Sequence, residues 1–372
     1  MSLADYQIEI ISPTTGNILR VFDSQTPYEC KYNRALNDIG ALAITLPADD
    51  TLPMVFTKDT FIEIQRTSPV TGELIVEDTY LTRLTHRFRE GNDERFVIGG
   101  LSLNHLIARR LIDPADDPLS AGGYSTKANT ADEVMRAFAR EQMADLASTG
   151  RSFPNLTVGL TPGTGLPVGK RARYENLLEV FQALAVQGRT DFIITRFGGN
   201  NLRLFIQPIG TDRTKGANYP FGEFTQFDPD RGNLTNPSLV IDSKKEQNFV
   251  YAQGQGQGDT RIIAKVAGDN LAESPYNRIE FTADVRQSSR SDSLYLLTGA
   301  RQALTDNQET REFTFDTVPT ASGAIYRKDY DLGDKVTARW GDVSIDLRVT
   351  NIEISLEQSG ENLSVKLEPY QA

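Results

Sequence analysis

The residues of this chain best spaced for chemistry are Gly163-Thr164-Gly165-Leu166-Pro167-Val168-Gly169-Lys170-Arg171, set between a strand-like run and a helical one. A P-loop needs a glycine five residues before its Gly-Lys pair and a Ser or Thr after it; Thr164 and Arg171 occupy those places. A dinucleotide fingerprint needs a third glycine at 168, where Val168 stands. The stretch therefore reads as an ordered loop entering a helix, although Lys170, Arg171 and Arg173 lie close together. Gly254-Gln255-Gly256-Gln257-Gly258 has the glycine density of an anion-binding backbone nest. Strand-like runs flank it on both sides, so a hairpin turn or bulge is expected, at the place where the first third of the chain has its Asn33–Gly40 turn.

Acid–base and nucleophilic chemistry fare no better. Adjacent carboxylates do such work when their surroundings drive their pKa values apart, but Asp49-Asp50 and Asp116-Asp117 sit among turn residues as solvated charge, without EF-hand spacing. Two histidines, His86 in a strand and His105 in a helical stretch, and one cysteine, Cys30 in a strand, leave no set for a thiolate zinc cluster or an intrachain disulfide. Ser102 follows Gly99-Gly100 without the Gly-x-Ser-x-Gly elbow of a hydrolase. No catalytic, cofactor-binding or metal site is expected, and the chain reads as a non-enzyme.

Composition supports a folded, non-gripping protein. The 372 residues are 39% hydrophobic and 24% charged, enough for real cores and for two or three domains. No apolar stretch approaches the length of a membrane span, and the start lacks the basic and apolar regions of a secretory signal. The net charge of −11 argues against a phosphate-gripping face. It suits a surface past which DNA slides without sticking.

The elements that must position everything else are mostly strands. Period-2 runs at Tyr6–Ile11, Ile18–Phe22, Tyr28–Arg34, Ala41–Pro47, Phe61–Arg66, Tyr80–Arg89 and Arg95–Ile98 predict a barrel or sandwich over residues 1–112, closed by a helix at Leu101–Ile112. Residues 113–235 read as an α+β middle domain. Its first helix is capped by Thr130 and Glu133 as a capping box; its second carries Leu177, Leu178, Phe181, Leu184 and Ala185 on one face; strands follow at Phe192–Arg196 and Leu202–Gln207. Residues 219–236 read as loop. Strands at Leu239–Asp242, Phe249–Ala252 and Arg261–Val266, then Glu312–Thr317, Lys335–Trp340, Val343–Ile354 and Leu363–Leu367, predict a second barrel over 236–275 and 309–372. A strand and helix at 276–308 form an insertion packing with the middle domain. The fold class is α+β, mainly β: two related antiparallel β-barrels with an inserted α+β domain.

The two barrels are related by an internal repeat. Lys58-Asp59-Thr60-Phe61-Ile62-Glu63-Ile64 corresponds to Leu332-Gly333-Asp334-Lys335-Val336-Thr337-Ala338. Leu81-Thr82-Arg83-Leu84 aligns with Val349-Thr350-Asn351-Ile352 at an offset of 268 (349 − 81), and a turn at Gly91 or Gly360 leads into the last strand of each copy. Asp59, Gly91, Gly333, Asp334 and Gly360 are the expected turn and strand-start positions of the repeat. Two copies this far apart make a pseudo-twofold relation within one protomer, so a trimer presents six similar barrels in a ring closed by head-to-tail contacts.

Three motifs in order carry a family resemblance: Gly100-Leu101-Ser102-Leu103-Asn104-His105-Leu106-Ile107-Ala108-Arg109-Arg110, Tyr174-Glu175-Asn176-Leu177-Leu178-Glu179-Val180, and Tyr326-Arg327-Lys328-Asp329-Tyr330-Asp331-Leu332-Gly333-Asp334-Lys335-Val336. The chain resembles the tail-tip or baseplate hub proteins of tailed bacteriophages, including the hub-like N-terminal part of tail-associated lysins of long-tailed phages. The resemblance implies a virion protein made in the host cytoplasm. It implies a homotrimeric ring between a distal tail or tube protein ring and a central tip, spike or fibre protein, with a tape measure protein as a further neighbour and DNA passing without specific binding. No cofactor is implied. Unlike the lysin-type members, the chain stops after the second barrel, so wall-degrading activity is expected on another polypeptide. The alternatives are a carbohydrate-binding host-receptor module, weakened by a single Trp340, or a cell-wall hydrolase with its site in the middle domain.

Overall fold

The computed structural model describes residues 5–23, 26, 28–90, 93–118, 120, 123–214, 224–272, 275–276, 278–286, 293–318, 324–357 and 360–369. In chain order the first third contains β1 (Tyr6–Ile11), β2 (Ile18–Phe22), β3 (Glu29–Ala35), β4 (Ala41–Pro47), the single turn α1 (Leu52–Val55), β5 (Phe61–Thr67), β6 (Leu74–Glu90), β7 (Asp93–Ser102) and the single turn α2 (His105–Ala108). The middle contains β8 (Ser125–Thr130), α3 (Ala131–Met143), β9 (Leu156–Val158), β10 (Pro167–Ala172), α4 (Leu177–Gly188), β11 (Phe192–Arg196) and β12 (Leu202–Ile206). The rest contains β13 (Gln226–Phe227), β14 (Leu234–Asp242), β15 (Phe249–Gln253), β16 (Ile263–Ala267), β17 (Glu280–Asp284), α5 (Ser293–Asp306), β18 (Thr310–Thr317), β19 (Lys335–Trp340), β20 (Val343–Glu357) and β21 (Gly360–Pro369). The chain is mainly β, with large antiparallel sheets, as expected.

One 13-stranded sheet dominates. Its order is β14-β18-β21-β20-β3-β4-β7-β6-β5-β1-β2, with β19 also on β20 and β13 on β19. Alternation explains the strands: Leu42, Ile44 and Leu46 of β4 are buried while their neighbours face outward. Along β20 the buried set is Leu347 and Val349, then Ile352, Ile354 and Leu356. The change from odd to even numbers falls at a bulge between Val349 and Asn351, where one extra residue restores the same face to the core. A single apolar core runs through both halves of the sheet, from Tyr6, Ile8 and Tyr80 to Phe315, Tyr330 and Leu367.

A second core belongs to the middle unit, where α3 and α4 pack with the small sheets β10-β8 and β11-β12-β9. The Asn176 side chain accepts from the Leu178 N–H and starts α4. Thr130 precedes α3 without a capping bond from its hydroxyl; Asp132 instead accepts from the Glu133 N–H, so the expected capping box does not form. The expected helix at Leu101–Ile112 shrinks to α2. Leu103, Leu106 and Ile107 are buried as helical spacing demands. Leu101 and Ser102, however, continue the ladder, with Leu101 opposite both Ala41 and Leu81. Asn236 and Pro237, expected in a loop, form a bulge inside β14, with Asn236 at φ +53°.

The second half departs most from expectation. Phe249–Ala252 and Arg261–Val266, read as strands of the second barrel, pair instead with each other, and the first also with β17, in a separate sheet, order β16-β15-β17, under α5. The segment between β14 and β18 thus occupies the place of the short β3–β4 turn in the first half. Sequence periodicity marks a strand but not its partner.

Strand pairing makes the repeat explicit. Tyr80 faces Ser102 as Leu347 faces Pro369; Thr82 faces Gly100 as Val349 faces Leu367; Leu84 faces Gly99 as Asn351 faces Lys366; Glu90 faces Asp93 as Glu357 faces Gly360. Every pair is related by 267 (349 − 82), and each ladder carries its bulge at the same step. The offset of 268 expected from sequence is therefore one residue too long, a slip that exchanges the two faces of the strand. The correspondence of Lys58–Ile64 with Leu332–Ala338 holds as aligned: Phe61 faces Leu81 as Lys335 faces Arg348, and Ile62 faces Tyr80 as Val336 faces Leu347.

Across the two copies runs a buried ion pair, Arg66 of β5 to Glu361 of β21 at 3.0 Å, with the guanidinium 4.8 Å from the Tyr326 ring centroid and 5.7 Å from that of Tyr6. Removing one member of such a pair strands the other. Arg66→Met is expected to lower unfolding free energy in urea by about 3–5 kcal/mol, and Arg66→Met/Glu361→Met to recover at least half of that loss. A double variant as unstable as the single one would show that packing, not charge, holds this seam.

Candidate functional site at the junctions of the repeat

Each copy starts its central hairpin with a residue in the left-handed region, Asp59 at φ +65° and Gly333 at φ +88°. The Asp59 N–H donates to the Thr82 carbonyl at 3.1 Å and the Thr82 N–H to the Thr60 carbonyl at 2.9 Å. The Gly333 N–H donates to the Val349 carbonyl at 2.8 Å and the Val349 N–H to the Asp334 carbonyl at 2.9 Å. The same backbone bracket is built twice. Its decoration differs. Asp59 can take the left-handed turn because its carboxylate is held by Arg109, at 3.0 and 2.6 Å, and by Arg83 at 3.1 Å. Burial would raise this carboxyl, but the two guanidinium groups outweigh it and hold it below its usual value. At Gly333 a side chain has no room, since an added Cβ would lie 2.7 Å from the Ile209 carbonyl oxygen.

Asp334 accepts from the Thr211 N–H (2.6 Å), the Asp331 N–H (2.9 Å) and Arg213 Nε (2.5 Å). Burial dominates there and raises its pKa. Gly360 opens β21 opposite Glu357. Gly91 lies outside the described residues.

The two copies meet in a polar seam beside the β3–β20 pairing. Arg34 of β3 donates to the Tyr326 hydroxyl (2.5 Å) and to Asp331 (2.7 Å). The Tyr326 hydroxyl donates to Glu77 of β6 (2.7 Å), and Arg327 bridges Glu77 (3.0 Å) and Asp331 (2.7 Å). Arg34 and Glu77 come from the first copy; Tyr326, Arg327 and Asp331 come from the approach to the second. Sequence reasoning singled out Tyr326–Asp331 but missed Arg34 and Glu77. The available signal was two acids, Glu77-Asp78, inside an apolar strand. The middle unit is tied to both copies: Asp191 receives Arg348 of β20 through two bonds, 3.0 and 2.6 Å, and Arg196 of β11 grips Glu63 of β5.

The remaining candidates are structural. Pro167–Ala172 is a strand paired with β8 rather than a phosphate loop. The Thr164 N–H is taken by Asp132, Lys170 pairs with Glu175, and a Cβ at Gly169 would lie 2.8 Å from the Tyr295 ring. Gly254–Gly258 is a hairpin connection, with Gly254 N–H donating to the Ile262 carbonyl, but in the β15–β16 sheet. Neighbouring carboxylates serve different cations: Asp49 pairs with Arg20, Asp50 with Arg87, Asp116 with Arg151 and Asp117 with Lys127. His86 stacks on Phe88 with centroids 5.3 Å apart. His105 is half-buried, and burial followed by the charges of Arg109 and Arg83 depresses its pKa. Ser102 accepts from the Gly40 N–H, and burial pushes the Cys30 thiol up. Among the described residues no group of three or more His, Cys, Asp or Glu is placed to hold a metal ion, and no helix is long and apolar enough to cross a membrane.

The profile of the Siphovirus ReqiPepy6 Gp37-like proteins matches residues 8–367. The chain belongs to that family. No curated protein sequence matches it significantly. The fold of this Gp37-like protein is shared, at low identity, with tail proteins of known structure. The 43 kDa tail protein of prophage MuSo2 from Shewanella oneidensis is 11% identical over 97% of each chain, with a TM-score of 0.58. The tail protein from Neisseria meningitidis MC58 is 12% identical over 98% of this chain and 96% of that one, with a TM-score of 0.55. Prophage tail protein gp18 from Listeria monocytogenes EGD-e is 10% identical over 99% and 95%, also at 0.55. Family and fold agree with the tail-tip and baseplate hub resemblance carried by the three sequence motifs, and with the expected localisation in the virion tail.

Asp78, half-buried beside the seam, has its carboxyl pushed up to about 6 by burial, against the pull of Arg34. A raised carboxyl stabilises the fold below its ordinary pKa and loses that contribution as pH rises through the folded value. Asp78→Asn of the Gp37-like protein should therefore flatten the fall in unfolding free energy between about pH 4 and about pH 6 relative to wild type. Urea titrations at stepped pH check this; an unchanged slope would place the titration elsewhere.

Proposed function

We propose that this Gp37-like protein is a structural hub of a phage tail tip or baseplate. Three copies form a ring that joins the sixfold tail tube or distal tail ring to a threefold central tip, spike or fibre. The observation that carries this reading is the repeat: two β modules in one chain, with ladders related residue by residue at 267 and hairpins opened by the same backbone bracket. A chain that builds one module twice lets three protomers offer six similar surfaces, which is what a mismatch between sixfold and threefold neighbours requires.

The role is mechanical. The ring surrounds the DNA channel, and the excess of 50 acidic over 39 basic residues suits a wall that does not adsorb DNA. Asp49, Asp50, Asp116 and Asp117 pair with Arg20, Arg87, Arg151 and Lys127, and the reading includes no catalytic step. The tape measure protein is a further neighbour within the channel.

Native mass spectrometry of the purified chain, alone and with the tube-side ring protein, tests this. The expected species has three times the 41.2 kDa chain mass. A chain that stays monomeric with its ring partner present would contradict the reading.

A further inference from the structure

The repeat leaves one strand contact made inside the chain and its twin unmade. In the second copy, β20 has three neighbours: β21 along one edge, and β19 followed by β3 along the other. In the first copy, the corresponding strand β6 has two, β7 and β5. Its outer edge over residues 84–89 is unpaired among the described residues. The partner of β20 is β3, and the strand that corresponds to β3 is β14. Tyr32 faces Leu42, which faces Gly100; Leu239 faces Phe313, which faces Leu367. β3 has neighbours on both edges, but among the described residues β14 has only β18 and ends the sheet.

The burial pattern points the same way. Ile352, Ile354 and Leu356 are buried where β3 lies alongside, whereas the corresponding Thr85, Arg87 and Arg89 are exposed. Leu84 is 57% exposed, Val240 51% and Ile241 50%. These are apolar residues on open strand edges, which folded proteins normally cover or guard. Within one chain β6 and β14 do not pair among the described residues: β18, β21, β20, β3, β4 and β7 lie between them in the sheet.

We infer that the occupant of each open edge is a second copy of this chain: β6 of one protomer pairs antiparallel with β14 of the next. The β3–β20 ladder sets the register. Ser355 faces Lys31 and Ile354 faces Tyr32, so Phe88 faces Ser238 of the neighbouring copy and Arg87 faces Leu239. Continuing the ladder places His86 opposite Val240, Thr85 opposite Ile241 and Leu84 opposite Asp242. Pro237, which has no N–H to donate, bounds the pairing at one end. The contact is head-to-tail: it uses a different surface on each partner, so an open chain of protomers keeps one free edge at each end until the ring closes. This inference rests on the ring reading above and specifies the contact that closes it.

Disulfide capture in the full-length chain tests the register. Directly opposed residues of an antiparallel pair lie within disulfide reach, and the opposite face is reached by a slip of one residue. His86→Cys/Val240→Cys, and independently Phe88→Cys/Ser238→Cys, should yield covalent oligomers up to the closed ring on mild oxidation, resolved on non-reducing gels. His86→Cys/Ile241→Cys should give at least tenfold less product, and Cys30, being buried, should contribute none. The same samples are weighed by native mass spectrometry. Trimers without cross-linking in register, or with equal cross-linking out of register, would overturn the strand pairing and leave the ring standing. Monomers throughout, with the tube-side partner present, would overturn both.

Discussion

The antiparallel pairing of β3 with β20, Ala35 opposite Asn351 through Cys30 opposite Leu356, is the contact on which the rest of this molecule depends. It joins two copies of one module, and it fixes their relative position through directional backbone bonds. Had the copies met through side chains alone, their mutual rotation would be a matter of packing and could drift. A shared ladder fixes strand spacing and register together. A ring assembled from such units inherits that geometry.

Around this ladder the charges are arranged as clamps. Arg66–Glu361 sits within the shared core, and the chain Arg34, Tyr326, Glu77, Arg327, Asp331 closes the seam at its side. Buried ion pairs of this kind contribute less to net stability than to geometry, because desolvation offsets much of the attraction. What they enforce is that the two copies separate only at the cost of stranding charge. The middle unit is braced against both copies by Arg348–Asp191 and Arg196–Glu63, which tie its core to the shared one.

Much of this was legible in the sequence, and the failures have physical causes. Ala41–Pro47, Phe192–Arg196 and Lys335–Trp340 were bounded correctly because alternation is local and survives without tertiary context. The repeat was legible as well, but its offset slipped by one, because the bulges after Thr82 and Val349 shift the apolar phase within a strand. Strand identity was easier to read than strand partnership: Phe249–Ala252 has the pattern of any half-buried strand, and only long-range pairing assigns it to the insertion. Helical spacing at Leu103, Leu106 and Ile107 was real yet overridden by the ladder that claims Leu101 and Ser102. The bonds from Arg34 and Glu77 to residues more than two hundred positions away left no local trace beyond a pair of acids in an apolar strand.

A hub of this kind requires three chains to imitate six. Electron microscopy of the assembled ring, averaged in projection down its axis, tests this most directly. The expected average shows six lobes of similar density about 60° apart, with a weaker threefold modulation where the inserted sheets β16-β15-β17 decorate alternate lobes. Three lobes without intervening counterparts, or a ring of any other order, would contradict it.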